Sequence, residues 1–177
     1  MKKLLIGAIV GGIILFFWQF LSWSALGIHE SMQAYTPNQD KVLECLGQNL
    51  EEGFYFLPNV APGTEGNGNP MEAFAGKPWA QVYYHKAMNV NMGMMMTRGL
   101  LVDILAIALL IWLLSKIPNL GLKDTILSCI AVGIISYIVT HYTNSIWFET
   151  KTMGDLIDGI VSFALVGTWL GWWLRRP

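Results

Sequence analysis

Four uninterrupted apolar runs, at residues 4–26, 97–115, 125–142 and 155–174, constrain this chain more than any other feature. Hydrocarbon about 30 Å thick needs roughly 20 helical residues at about 1.5 Å each, so a run of about 18 or more with almost no charge has the length and chemistry of a spanning helix. The expected fold is an all-α membrane protein, a bundle of four transmembrane helices. The run at 125–142 is the shortest in apolar content, because its end is polar. Composition agrees: 54 % of the 177 residues are hydrophobic and 13 % charged, more apolar than a soluble domain of this length requires.

Basic residues near span ends are retained on the cytoplasmic side. Lys2 and Lys3 precede the first run, Lys116 and Lys123 lie between the second and third, and Arg175 and Arg176 follow the fourth. All six fall on one side of a four-span arrangement, which predicts both termini in the cytoplasm and residues 27–96 outside. Trp18, Trp23, Trp147, Trp169, Trp172 and Trp173 suit an interfacial aromatic belt, although Trp18 and Trp169 are equally placed to face neighbouring helices. The opening Met1-Lys2-Lys3 with small residues at Ser24-Ala25 also looks like a secretory signal; the apolar run is longer than a usual signal core, so an uncleaved first span is expected.

The outer segment changes pattern along its length. Thr36-Pro37-Asn38 can start a helix carrying Val42, Leu43, Leu46 and Leu50 on one face, with Gly53 available to stop it. Phe54–Leu57 and Ala80–Tyr84 read as short strands around a connection from Pro58 to Pro78 rich in Gly, Pro and Asn. A small α+β cap is expected. Cys45 and Cys129 belong to different regions and form no CxxC pair, so neither a disulfide nor thiol redox chemistry is predicted. Gly7-x-x-x-Gly11 and Gly167-x-x-x-Gly171 are expected to serve close helix packing within the chain.

Ionisable side chains inside apolar helices are costly and usually face the bundle interior or water. Asp103 lies within the second run, Asp155 and Asp158 open the fourth, His141 ends the third, and His29 and Glu30 follow the first, with Arg98 near Asp103. Under the four-span arrangement these seven converge at the outer face as a candidate polar cluster. Each has an ordinary alternative: Asp155 can cap its helix, Arg98 can reach the headgroups, and the histidines can serve as interfacial hydrogen-bonding groups. Asp103 resists such an account best, and an intramembrane enzyme or small-molecule site around it is one expectation.

Thioether sulfur is a soft ligand that selects Cu(I). His85, Met88, Met92, Met94, Met95 and Met96 are therefore a candidate copper-handling set, against the ordinary reading of methionine as adaptable filler. No P-loop, HExxH or GxSxG motif is present.

The Gly11-Gly12 to Phe17-Trp18 stretch, Ser22-Trp23, His29, Gly53-Phe54-Tyr55-Phe56-Leu57-Pro58, the Met-rich approach to the second run, and Trp147-Phe148 before a Trp-rich last run resemble a group of small four-span bacterial membrane proteins. The resemblance covers most of the chain. It implies a bacterial cytoplasmic membrane and carries no activity, cofactor or catalytic residue with it. The function expected is that of a non-catalytic accessory subunit of a larger membrane complex. Its partners would be the lipid bilayer and other membrane subunits or further copies of itself, not nucleic acid.

Overall fold

Helix α1 runs from Lys2 to Ser24, α4 from Met92 to Leu114 and α7 from Met153 to Trp173. A fourth long helix starts as α5 (Leu122–Tyr137), passes through one π-helical turn (Ile138–Tyr142) and continues as α6 (Thr143–Phe148). All four are long and apolar enough to cross a membrane. This computed structural model describes residues 2–61, 63 and 70–176; in the expected Pro58–Pro78 connection, Pro62 and residues 64–69 lie outside that range.

The helix ends differ from the apolar runs for local reasons. α4 begins five residues earlier than the run at 97–115, because the Asn91 side chain accepts a hydrogen bond from the Met94 amide at 3.0 Å and so caps the new first turn. Met92, Met94, Met95 and Met96 are thereby helical. The third long helix extends past residue 142 because its polar residues turn back on the backbone: Thr140 donates to the Ser136 carbonyl, Thr143 to Ile138 and Ser145 to Tyr142. It stops where Glu149 adopts a left-handed conformation.

The chain divides into two compact units, residues 1–34 with 91–177, and residues 35–90. In the helical unit α4 packs on α1, α1 on α7, and α7 on α5, whereas α4 and α5, consecutive in sequence, barely touch. The result is a row of four, and glycines let the inner pair approach their neighbours. A Cβ on Gly12 would lie 2.7 Å from the Cα of Ile104 on α4, and one on Gly133 of α5 would lie 2.1 Å from the Gly159 carbonyl oxygen on α7. Gly7, Gly11, Gly167 and Gly171 likewise meet side chains or backbone of neighbouring helices, so the small-residue spacing serves packing within the chain. Ile107, Leu110, Cys129, Val166 and Leu170 form the centre of the buried core. Where α1 begins and α7 ends, the Trp173 indole donates to the Lys3 carbonyl at 2.8 Å, the Trp169 indole to Gly7 at 3.2 Å, and the Lys3 ammonium to the Arg176 carbonyl.

The second unit holds α2 (Gln39–Asn49), strand β1 (Gly53–Leu57), the short α3 (Pro70–Ala73) and strand β2 (Ala80–Tyr84). The strands form an antiparallel hairpin with Phe54 opposite Tyr83 and Phe56 opposite Gln81. Side chains alternate between faces. Tyr84, on one face, reaches α2, since a Cβ on Gly47 would stand 2.9 Å from its hydroxyl. The other face carries Phe54, Phe56 and Tyr83, with Trp79 stacked on Phe56 at 5.8 Å. Lys86 closes the hairpin by bonding Glu51 with its ammonium and Glu52 with its amide, and the Glu51 bond raises the lysine pKa above its ordinary value.

Candidate functional site

Among the described residues, hydrogen bonds and ion pairs join the polar residues expected to form one cluster only in smaller groups. The tightest is built where the chain leaves α1. Gly27, with φ +63°, turns the backbone, and a short 3₁₀ turn at Glu30–Met32 brings His29 back against the helix. His29 is 4 % exposed and its ring stacks on Trp23 at 3.9 Å. Its Nε2 lies 2.9 Å from Asp158 Oδ2 and 3.1 Å from Ser22 Oγ. Ser22 donates to Asp158 Oδ1 at 2.6 Å, and the Trp18 indole donates to the same oxygen at 2.9 Å. The other imidazole nitrogen sits 3.1 Å from the Met32 sulfur and against Gly154, where a Cβ would stand 2.8 Å from it.

Serine, histidine and aspartate within hydrogen-bonding distance invite comparison with a hydrolytic triad, and the wiring decides the matter. A triad needs the serine on one imidazole nitrogen and the carboxylate on the other, so that the ring takes the hydroxyl proton while the acid steadies it. Here Ser22 and Asp158 share Nε2, and the serine proton is already donated to the carboxylate. Ser22 is also fully buried, with no route for a substrate carbonyl. The geometry is that of a clasp that ties residues 27–32 and α1 to α7.

A second group joins α7 to the π-helical turn. His141 Nδ1 lies 3.4 Å from Asp155 Oδ2, and beside them the Tyr137 hydroxyl meets Thr152 Oγ1 at 3.0 Å. π-Turns often mark positions where a helix is widened to aim a side chain. Asp155 is in the first turn of α7 rather than at its cap, which is Thr152; its charge suits the amino end of the helix there. Glu30 is exposed beside the turn at Gly27.

Asp103 stands apart from both. It is 6 % exposed, its Oδ1 accepts a 3.3 Å bond from Gln19, and its buried Oδ2 has no hydrogen-bond partner among the described residues. With Arg98 it lines a groove between α1 and α4. Arg98 forms no ion pair among the described residues.

The candidate copper ligands divide between the units. His85 and Met88 are exposed in the 35–90 unit, and Met92, Met94, Met95 and Met96 belong to α4. Met92, Met95 and Met96 line one groove with Phe16 and Phe20, the setting of a flexible apolar filler. Among the described residues no three His, Cys, Asp or Glu side chains are gathered to hold a metal ion. Cys45 is free and exposed, and Cys129 is free and buried.

Gln19, Ser22 and Gly154 complete these groups without having stood out as site residues in the sequence, and Trp18 takes the helix-facing alternative of its two expected roles. Gln19 and Ser22 did leave a signal, since each is a polar side chain inside an otherwise apolar run and so needs a partner. No family model matches the chain, and comparison with curated proteins and with solved structures finds no match.

Proposed function

We propose that this chain is a non-catalytic accessory subunit of a larger assembly in a bacterial cytoplasmic membrane, holding a partner through the aromatic face of residues 35–90. The observation that carries the reading is the Phe54–Tyr83 pair. These residues oppose each other in the hairpin with rings 4.5 Å apart, yet they are 53 % and 72 % exposed. Water is a poor neighbour for two adjacent large rings, and aromatic residues are enriched at the centres of protein interfaces.

The clasp wiring of Ser22, His29 and Asp158 supports a structural rather than hydrolytic use of those side chains. Four apolar helices support a multi-pass membrane subunit. The six basic residues at one set of helix ends support cytoplasmic termini, with residues 35–90 outside. The likeness to small four-span bacterial membrane proteins belongs to the same proposal.

The test is substitution of Phe54 and Tyr83 together by serine, followed by gentle extraction and purification. The variant should retain the thermal transition of the parent and lose a stoichiometric partner. Loss of folding, or retention of the same partner, removes the aromatic face as the contact surface.

A further inference from the structure

Among the described residues of the helical unit, Asp103 is the buried side chain whose hydrogen bonding is incomplete. Oδ2 meets no donor among the described residues, and Oδ1 holds only the 3.3 Å contact from Gln19. An acidic group inside an apolar helix ordinarily faces a partner or water. Asp103 lines a groove of about 460 Å³ between α1 and α4, with Gln19, Met95, Arg98 and Val102 among its walls. A second groove of about 260 Å³ shares Gln19 and Met95 and continues over Phe16, Phe20 and Met92. From Met92 to Val102 the lined length of α4 is about 15 Å at 1.5 Å per residue, too long for one small headgroup. Beyond it Leu105 and Leu109 stand exposed and continue the stripe that Val102 begins.

We propose that this groove seats a membrane-spanning helix of a partner protein that carries one lysine or arginine facing Asp103. The inference rests on the accessory-subunit reading and gives the chemistry of the partner's helix. The soft terminal torsion of aspartate lets Oδ2 turn toward the groove. A basic side chain arriving there supplies both the missing donors and the opposite charge, so neither group is left alone in hydrocarbon. Arg98 does not fill the role: it lies five residues toward the start of the helix, about 7.5 Å shallower, and forms no ion pair with Asp103. Met92 and Met95 give the groove walls that adapt to an incoming helix.

The full chain is placed in phosphatidylcholine vesicles with a synthetic spanning peptide of leucine and alanine bearing a single lysine level with Asp103, and association is read by energy transfer. The lysine peptide should bind about tenfold more tightly than its all-leucine counterpart. Asp103→Asn should erase that difference, and Val102→Trp, which fills the groove and leaves the carboxyl in place, should weaken the lysine peptide to the same level. Equal binding of the two peptides by the parent chain, or a preference that survives both variants, overturns the proposal. So does binding of dodecylamine that depends on Asp103 while the lysine peptide fails, since the site would then serve a small amphiphile. A native hetero-complex that persists in Asp103→Asn refutes this docking site and leaves the accessory role standing; peptide binding without any native partner does the reverse.

Discussion

Asp158 gathers three donors from two parts of the chain: the Trp18 indole and Ser22 hydroxyl from α1, and His29 from the turn that follows. Because Ser22 and His29 are almost wholly buried, removing the carboxylate strands donors that no water can reach. Asp158→Ala is expected to cost about 3 kcal/mol, read as a lowered thermal transition in detergent, since a buried donor left unpaired costs about 1–3 kcal/mol and more than one is stranded. Ser22→Ala should cost only about 1 kcal/mol, because Trp18 and His29 still hold the acid. Equal losses in the two variants would show that the carboxylate is not the centre of the clasp. At this scale the sequence was legible as a set of ingredients. His29 and Asp158 stood out as polar groups at helix ends, but their pairing depends on a left-handed turn at Gly27 and on space made by Gly154, neither of which leaves a periodic signal.

Helix packing in this chain is set by contact between backbones. Gly133 and Gly159 bring α5 and α7 so close that even one methyl group would meet a carbonyl oxygen, which cannot rotate away as a side chain can. Gly133→Ala should therefore destabilise by about 1–3 kcal/mol as an overpacked contact, while Gly93→Ala, with its nearest neighbour 3.9 Å away, should leave the transition unchanged. A tolerated Gly133→Ala would mean that the two helices do not approach this closely. The long helices and the hairpin were legible because their signals are local: apolar runs in the first case, alternation with turn residues on either side in the second. Helix ends were less legible. The Asn91 cap starts α4 on the methionines ahead of the apolar run, and the back-bonding threonines and serine of residues 140–145 carry the third long helix through polar sequence that reads as loop. The bonding of His29 with Asp158 and of His141 with Asp155, which leaves Glu30 exposed and Arg98 and Asp103 outside both pairs, was not legible at all, because which helix neighbours which is decided by glycine contacts far apart in the chain.

Across the whole molecule, the row of four helices leaves extensive apolar surface on each long helix, suited to lipid and to other spanning segments. The proposed orientation makes a direct prediction through the native cysteines. Cys45 is exposed in the 35–90 unit and Cys129 is wholly buried in the core. In intact cells stripped of their outer envelope, a membrane-impermeant maleimide should label Cys45 and spare Cys129. Labelling of Cys45 only after the membrane is permeabilised would reverse the topology and place the aromatic face inside. The exposed rings of Phe54 and Tyr83, the incomplete hydrogen bonding of Asp103 and the clasp made from potential catalytic groups favour a chain built to be held by others. Native mass spectrometry of the untagged protein, extracted gently from its own membrane, tests that claim most directly. A stoichiometric complex with at least one different membrane protein is expected; a lone chain, or a homo-oligomer carrying a discrete small molecule, would contradict the accessory role.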